Sequence, residues 1–515
     1  MSEKLSRKKG KSNSRFIIKW VGAIITVAIA VMAIIVAKAA MDIKVVPGRY
    51  ILFGCGLYVV GALVVLGVTL FSKRIWFNII SVIIFVLLVI VSVFLYKQIT
   101  LTRSTLEKNA GIKVETSSIS VYVKEEDAAK TISDAKNYTF GILRTLDREN
   151  TDETIAKIND EIGTQISVSE YEEITDLADA MMDGEVQIII LNDSYYNVLL
   201  EWNSLLEECE IPVESRDYET FAKNLRKLGQ YQVKKEIEES SSDEYLNEQE
   251  SEVPYKYVDT DCFIMYISGQ DAWGGVSGTS RSDVNILAVV NNKTHQVLLV
   301  STPRDYYLPL SVSNGVKDKL THAGIYGVDC SRDTLEMLYG YNIDYYFKLN
   351  FSGFEAIIDA LGGVTVWSEY DFTVEPIKHY VVGDNYLTGL EALAFARERH
   401  AIPGGDNDRG RNQMNVIVSV VDKLTSSALL ENYSAVLKSL NGMYITDMPY
   451  DVVASLIRDQ IDDGSGWNIK TYAVTGTGTS GPTYSMGATQ LYVMEPNMDS
   501  VEEAKRLIQE TLDGK

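Results

Sequence analysis

Acidic and basic residues that could bind a metal and a phosphate alternate with apolar segments between Asp271 and Gln413. The candidates are two acids that bound a Gly/Ser-rich loop and five arginines, Asp271, Asp283, Arg281, Arg304, Arg397, Arg399 and Arg409. Guanidinium groups donate forked hydrogen bonds to phosphate oxygens, and carboxylates are the ligands that hard cations prefer. The pattern predicts a partly shielded site for a divalent metal and a multiply charged phosphate.

The two acids lie at the facing ends of strand-like runs. Asp271 closes the run 262–271, and Asp283 enters the run 280–290. The loop between them can fold back so that both carboxylates meet, which suits Mg²⁺ or Mn²⁺ with water and phosphate as further ligands. The same spacing is equally typical of two solvated turn aspartates. Arg281 is two residues before Asp283, so both project to one side of an extended chain.

Arg304 follows a strongly apolar, strand-like segment in the sequence "PRD". Ligands of α/β folds bind beyond the carboxyl ends of strands, so this position favours a binding role. An ion pair with the neighbouring Asp305 is the structural alternative.

Arg397 and Arg399 lie at the end of a helix-like run, "LEALAFARERH", which Pro403 and the glycines after it must terminate. On a continuing helix two arginines at this spacing diverge. If the chain leaves the helix between them, both can face one diphosphate. The alternative is a solvated charged surface that includes Glu398.

The next helix-like run carries Asp406, Arg409 and Gln413 at spacings of three and four, so one helical face presents all three. Spacing alone favours Asp406 as a helix N-cap. The same carboxylate could instead accept a proton from an attacking hydroxyl.

Three long apolar runs, Phe16–Ala37, Tyr50–Phe71 and Ile75–Tyr96, are each long enough to cross a membrane as a helix. The basic tail 1–15 places the N-terminus in the cytoplasm by the positive-inside rule. After three crossings the chain from about Lys97 lies outside the cell. ATP is not normally supplied there, so we expect the phosphate to arrive on a lipid.

The charge distribution excludes one class of partner. The chain carries -22 overall, and residues 1–96 hold 12 Lys and Arg against 2 Asp and Glu, which leaves -32 on residues 97–515. A region with so large a negative charge is a poor binder of nucleic acid.

The cysteines show no metal-ligand spacing. A Cys262–Cys330 disulfide is conceivable, and isolated thiols are the favoured interpretation.

Beyond the spans, the sequence predicts two α/β units and a linker. An accessory domain covers 97–237, an acidic linker 238–255, and a larger unit 256–515, whose mixed strands and helices favour an α/β/α layered fold. In the accessory domain, 125–146 and 170–183 are predicted helices, with weaker strand signals at 138–144 and 164–168. The segment 475–484, "TGTGTSGPTY", is typical of a flexible loop.

The motifs together resemble those of the LytR–CpsA–Psr family of Gram-positive cell-wall glycopolymer ligases, over about 255–430. They occur in family order: Asp271, "RSD" (281–283), "PRD" (303–305), "KLTHA" (319–323), "FARERH" (395–400) and Asp406…Arg409…Gln413. The three spans and the accessory domain look like the capsule-linked, CpsA-type subgroup. This chain has Asn412 where the family usually has an arginine, so one basic contact is expected to be missing.

The resemblance implies a three-layer catalytic domain that binds a polyprenyl diphosphate and transfers its glycopolymer, as phosphoglycosyl, to peptidoglycan. It assigns the diphosphate to Arg281, Arg304, Arg397, Arg399, Arg409 and Gln413. It assigns Mg²⁺ to Asp271 and Asp283, and activation of the acceptor to Asp406. Two alternatives remain open: a polyprenyl diphosphate hydrolase that uses the same residues, and a non-catalytic lipid-glycan carrier or scaffold in capsule assembly.

Overall fold

The computed structural model describes residues 2–71, 75–109, 114–200, 217–236, 261–270, 280–425 and 443–515. Asp271 and the predicted linker 238–255 fall outside these residues. The chain forms two compact units, one of residues 1–110 and 449–465 and the other of residues 111–448 and 466–515. The two units are described separately.

The first unit contains three long helices, α1 (Ser2–Asp42), α2 (Gly48–Phe71) and α3 (Ile75–Asn109). Each includes an apolar stretch long enough to span a membrane: Trp20–Asp42, Gly48–Phe71 and Ile79–Glu107. The three predicted spans are therefore present as helices. The third helix is longer than predicted, because it continues past Tyr96 through a more polar last part.

A further helix, Tyr450–Asp463, packs in the same unit. Its Ala454 lies in one apolar cluster with Ile43 and Leu106, and its Asp451 accepts hydrogen bonds at 2.9 Å from Lys44 Nζ. The sequence predicted this helix but placed it with the catalytic domain.

The accessory part of the second unit is an α/β module with a five-stranded sheet. Its elements are β1 (Val114–Lys124), β2 (Thr139–Leu143), α4 (Arg148–Ile162), β3 (Ser167–Tyr171), α5 (Ile174–Met182), β4 (Ile188–Asn192), α6 (Asp193–Leu200), α7 (Tyr218–Lys223) and β5 (Leu225–Glu236). The strand order is β3-β2-β4-β1-β5, with β2 parallel to β3 and β4. The predicted helix 125–146 is wrong. Phe140 and Ile142 instead enter the core from β2, so burial in the sheet outweighs local helix propensity.

The larger part of the second unit is built on a six-stranded mixed sheet of order β16-β11-β6-β7-β8-β17. Its strands are β6 (Cys262–Gln270), β7 (Ser282–Asn291), β8 (Gln296–Ser301), β11 (Tyr345–Asn350), β16 (Tyr444–Thr446) and β17 (Asn468–Ala473). β6, β7 and β8 form an antiparallel meander, β11 runs parallel to β6, and β17 runs parallel to β8.

Helices cover both faces of this sheet. The main helices are α9 (Val328–Tyr339), α10 (Phe351–Ala360), α11 (Gly389–Arg397), α12 (Asp406–Leu424) and α14 (Met498–Leu512). The label α13 is used for the helix Tyr450–Asp463 of the first unit. On one face Tyr266 and Val300 pack with Leu335 of α9 and Ile508 of α14. On the other face β7 and β8 pack against Met414 of α12. The predicted three-layer α/β/α fold is confirmed.

Short elements complete the module. They are β9 (Tyr307–Pro309), β10 (Lys317–Lys319), α8 (Leu320–Ala323), β12 (Val364–Ser368), β13 (Phe372–Val374), β14 (Lys378–Tyr380), β15 (Gly383–Leu387), β18 (Gly476–Thr483) and β19 (Gly487–Pro496). The predicted flexible loop 475–484 is wrong, because β18 pairs along its length with β19, whose Leu491 and Val493 are buried. Cys262 and Cys330 are free thiols, as the sequence favoured.

Candidate functional site

Four of the predicted site residues lie together in a pocket at one edge of the six-stranded sheet. Asp283 from β7, Arg304 from the loop after β8, and Arg409 and Gln413 from α12 all line it. The further lining residues are Ser301, Thr302, Pro303, Asn407, Gly410, Ala473 and Val474. The pocket therefore joins side chains that lie 130 positions apart in the sequence.

A β-bulge presents Asp283 to this pocket. β6 and β7 pair regularly from Cys262 onwards, but the register shifts between Gly269 and Gln270, whose partners are Val284 and Ser282. Asp283 is the extra residue between those partners. A bulge bends the strand and redirects the side chain of the inserted residue, and bulges are frequent next to functional sites.

Asp283 is held ionised by surrounding cations. Its Oδ1 accepts hydrogen bonds from Arg304 Nη1 at 3.2 Å and from Thr321 Oγ1 at 3.1 Å. Burial raises the pKa of this carboxyl, but the charges of Arg304, Arg281 and Arg409 outweigh burial and hold the pKa well below its usual range. Arg304, Arg281 and Arg409, which were each predicted to bind the diphosphate, are thus close enough to act on this carboxylate.

Arg304 contacts two carboxylates. Its Nε lies 3.7 Å from Asp305, farther than its Nη1 lies from Asp283, and the closer partner of Asp305 is Lys319 Nζ at 2.9 Å. The predicted alternative, an Arg304–Asp305 ion pair, therefore coexists with the contact to Asp283. Burial raises the pKa of Asp305, yet Lys319 and Arg304 lower it to about 2.

Arg409 and Gln413 occupy one face of α12, as their spacing predicted. Arg409 is buried, and Gln413 Nε2 donates to the Ala396 carbonyl of α11 at 3.3 Å. Both side chains line the pocket. Asn407, two residues before Arg409, also lines the pocket, and its Oδ1 is buried without a hydrogen-bond partner among the described residues. That oxygen is available to a donor from a ligand.

Arg397 and Arg399 lie at the end of α11 and do not line the pocket. The helix ends at Arg397, and Glu398 adopts an extended backbone conformation, so the chain leaves the helix where the sequence required. Arg397 lies over the ring of Phe351, 4.4 Å from its centroid. Arg399 Nε donates to His400 Nε2 at 3.2 Å. Their diphosphate role stays a prediction.

Asp406 is the first residue of α12, and Gly405 occupies the N-cap position. The interpretation of Asp406 as the N-cap is therefore wrong, since the chain reverses through Gly405 at a positive φ of 55° before the helix begins. The side chain of Asp406 lies outside the described structure. Asp408, which the sequence did not single out, is buried and accepts from the Gly404 amide at 2.7 Å.

Of the two predicted metal ligands, only Asp283 lies among the described residues. Both hydrogen bonds described for Asp283 end on Oδ1, and its low pKa keeps the carboxylate ionised, which suits a hard cation at Oδ2. The second predicted ligand, Asp271, lies outside the described residues. Within the described part of the chain, no group of three or more His, Cys, Asp or Glu side chains is placed to hold a metal.

Sequence reasoning missed Thr321 and Lys319, although the "KLTHA" motif contains both. Thr321 donates to Asp283, and Lys319 pairs with Asp305. The sequence offered no distinct signal for either residue, because Lys319 follows Lys317 and Asp318 in a polar run.

Comparison with known proteins decides the family. A family model described as LytR_cpsA_psr family matches residues 227–506, more than half of the 515 residues. The chain belongs to this family. The match begins inside β5 of the accessory module, ahead of the predicted start of the catalytic domain at 256. The resemblance inferred from the motifs is confirmed.

Curated members of the LytR–CpsA–Psr family are similar over part of the chain. A Bacillus cereus protein named polyisoprenyl-teichoic acid–peptidoglycan teichoic acid transferase TagU is 37% identical over 184 residues, which are 36% of this chain and 59% of the relative. The Bacillus subtilis protein of the same name is 31% identical over 220 residues, 42% of this chain and 70% of the relative. The chain thus spans about three fifths of the length of the first of these relatives.

Solved structures are similar over about half of the chain. The crystal structure of B. subtilis TagT is 27% identical, with a TM-score of 0.39, and covers 49% of this chain and 91% of its own. A Listeria innocua protein, Lin1025, is 27% identical, with a TM-score of 0.40, and covers 49% of this chain and 99% of its own.

Proposed function

We propose that the chain transfers a lipid-diphosphate-linked glycopolymer, as phosphoglycosyl, to peptidoglycan. The lipid product that remains is polyprenyl phosphate. The observation that carries this proposal is the pocket in which Asp283 is surrounded by the charges of Arg281, Arg304 and Arg409. The names of the curated relatives, teichoic acid transferases that act on peptidoglycan, agree with it.

The pocket carries more positive than negative charge, which suits a diphosphate. Arg281, Arg304 and Arg409 contribute three positive charges around Asp283, while Lys319 and Asp305 balance one another at 2.9 Å. Attack on a diphosphate builds charge on the departing phosphate, and preorganised cations in a shielded site stabilise that charge. Cleavage of the diphosphate itself drives transfer, so no nucleotide is needed.

The reaction balances without a redox partner. A peptidoglycan hydroxyl oxygen forms a bond to the phosphorus that bears the glycan, and the bond from that phosphorus to the bridging oxygen breaks. Asp406, at the start of α12, takes the proton of the hydroxyl. Arg397 and Arg399 add donors to the diphosphate from the end of α11.

Asp283 and Asp271 would hold Mg²⁺ or Mn²⁺. A bound divalent cation neutralises phosphate charge and polarises the phosphoryl oxygen. Arg304 and Thr321 both donate hydrogen bonds to Asp283 Oδ1. These two contacts fix the carboxylate and so orient its other oxygen.

The three apolar helices would anchor the chain in the cell membrane with its N-terminus in the cytoplasm and the catalytic module outside. This location supplies both reactants, since the polyprenyl donor resides in the membrane and peptidoglycan lies beyond it. The glycopolymer is of the capsule or teichoic-acid type.

Product analysis separates the three candidate functions. Full-length protein in detergent is incubated with Mg²⁺ and a polyprenyl-diphosphate-linked glycan, with and without peptidoglycan fragments. A conjugate that forms only with peptidoglycan and is lost in Arg304→Ala supports the ligase. Polyprenyl phosphate released equally in both reactions, with no conjugate, indicates the hydrolase. Tight binding of the donor without cleavage indicates the carrier or scaffold.

A further inference from the structure

The segment 317–324, which we call the clasp, forms hydrogen bonds to both parts of the chain that supply the site: β7, which carries Asp283, and the loop after β8, which carries Arg304. The Thr321 amide donates to the Arg304 carbonyl at 2.8 Å, and the Thr321 hydroxyl donates to Asp283. At the other end of the clasp, the Gly324 carbonyl accepts from the Ser280 amide at 2.9 Å. The clasp therefore contacts β7 and the loop after β8 at the same time.

The clasp also carries a buried cation. Lys319 Nζ lies 2.9 Å from Asp305, and the two side chains are 3% and 5% exposed. Because Asp305 also lies beside Arg304, a shift of the clasp would disturb the partners of both Arg304 and Asp283. Arg304 is thus positioned through atoms of the clasp backbone and side chains.

A second buried cluster holds the clasp from its opposite side. Asp318 Oδ1 lies 2.7 Å from His322 Nδ1, and Ser485 Oγ lies 2.8 Å from the same nitrogen. The Ser485 amide donates to Asp318 Oδ2 at 2.8 Å. All three residues are buried. Both contacts end on one ring nitrogen, so this is not the relay geometry of a hydrolytic triad, in which the acid and the serine contact different nitrogens.

The accessory module packs against the residues that flank this cluster. Ile325, three residues after His322, and Met486, directly after Ser485, lie in one hydrophobic core with accessory residues. The accessory members include Leu146, Leu177, Tyr195, Leu199 and Tyr218. The two connections that hold the clasp are therefore covered by the accessory module.

We propose that Asp318, His322 and Ser485 are positioning residues for the site, and that the accessory module 114–236 supports them. The cluster fixes the clasp, and the clasp fixes Arg304 and Asp283 in the arrangement that binds a diphosphate; this last step rests on the proposed function. The accessory module is then a structural part of the site in addition to any recognition role.

Two measurements on the full-length protein in detergent test the proposal. Hydrogen exchange of peptides from 317–324 reports the clasp directly, and titration with inorganic pyrophosphate reports the pocket. Ser485→Ala and His322→Leu are expected to speed exchange in the clasp and to weaken pyrophosphate binding about tenfold, the scale of one lost charge-assisted hydrogen bond. His322→Asn, whose side chain can replace the Nδ1 contact, is expected to restore most of the affinity.

Ser313→Ala is the matched control. Ser313 is as buried as Ser485, and its hydroxyl bonds to the carbonyls of Leu310 and Val316 at the far end of the β9–β10 hairpin. It should lower thermal stability without changing pyrophosphate affinity. If Ser485→Ala and His322→Leu fold, loosen the clasp and still bind pyrophosphate as the wild type does, the positioning role is wrong.

Failure of the proposed function has a different signature. In that case the wild type does not bind pyrophosphate, or Arg304→Ala binds it equally well, although exchange in the clasp still responds to Ser485→Ala. That outcome removes the diphosphate site and, with it, the positioning role. Weakened binding in Ser485→Ala and His322→Leu, with Ser313→Ala unchanged, supports the proposal.

Discussion

Arg304, in the loop after β8, and Asp283, on β7, share a 3.2 Å hydrogen bond inside the pocket although they lie 21 residues apart. Both side chains are largely buried, at 12% and 14% exposed. Burial of an ion pair is costly unless both charges are well satisfied, and here Thr321, Asp305 and two more arginines surround it. An arrangement of this kind is typical of a site that must bind charge rather than of a stabilising core contact.

Replacement of Arg304 by alanine is expected to reduce turnover by about 100-fold or more, the usual loss when one preorganised donor to a developing charge is removed. The substitution also removes one of the positive charges beside Asp283, so the pKa of Asp283 rises. Conjugate formation is measured at saturating donor. Arg332→Ala is the control, because Arg332 pairs with Asp329 and Asp447 away from the pocket. Equal losses in the two variants would contradict a specific role for Arg304.

Replacement of Arg397 by alanine should weaken donor binding without loss of fold. This arginine is exposed at the end of α11 and lies over the ring of Phe351. Truncation of its side chain therefore leaves no cavity in the hydrophobic core. We expect the KM for the donor to rise about tenfold, as for one charge-assisted contact, with an unchanged thermal midpoint. Arg506→Ala, an exposed arginine on α14, is the control. An unchanged KM would remove Arg397 from the diphosphate site.

Asp305→Asn should destabilise the second unit in a pH-dependent way. The change leaves Lys319 buried without its counter-ion, which costs about 3–5 kcal/mol near neutrality. The folded pKa of Asp305 is lowered to about 2, below the unfolded value of about 3.9. Its stabilising contribution is therefore present above pH 4 and is lost as the pH falls towards 2. Thermal unfolding of wild type and variant should converge over that window; a constant difference would contradict the assignment.

Asp447 should show the opposite dependence on pH. Burial raises its pKa to about 6, although the Tyr346 amide and Arg332 partly oppose this. Because the folded pKa exceeds the unfolded value, wild-type stability should fall by about 2–3 kcal/mol as the pH rises from 4 to above 6. Asp447→Asn, which can still accept from Tyr346, should remove that fall. Parallel profiles for the two proteins would show that Asp447 does not titrate in this range.

The sequence predicted much of the fold because its signals were periodic and long. The apolar runs predict the three helices. Strand-like runs at 296–301 and 345–350 predict β8 and β11, which begin and end at those residues. The errors arose where tertiary pairing outweighs local preference. The Gly- and Thr-rich segment 475–484 forms a strand only because it pairs with β19. The segment 125–146 contains a strand because Phe140 is buried in the core of the accessory sheet.

Residue types and spacing predicted four of the residues that line the pocket, but they did not predict the geometry of the pocket. Arg409 and Gln413 follow helical spacing, so their common face was predictable. The presentation of Asp283 was not, because it depends on a bulge in the pairing with β6, which involves Gln270 on another strand. The contact from Thr321 depends on how the clasp folds back, 38 residues later in the chain. Long-range register of this kind leaves no local pattern.

The fate of one phosphorus atom tests the central claim most directly. The donor is labelled with radioactive phosphorus at the phosphate next to the glycan and incubated with full-length protein, Mg²⁺ and peptidoglycan fragments. Phosphoglycosyl transfer predicts that the label appears in the peptidoglycan conjugate and that Arg304→Ala abolishes its appearance. Label that stays on the lipid while unlabelled glycan reaches peptidoglycan, or label that never leaves the intact donor, would contradict the account.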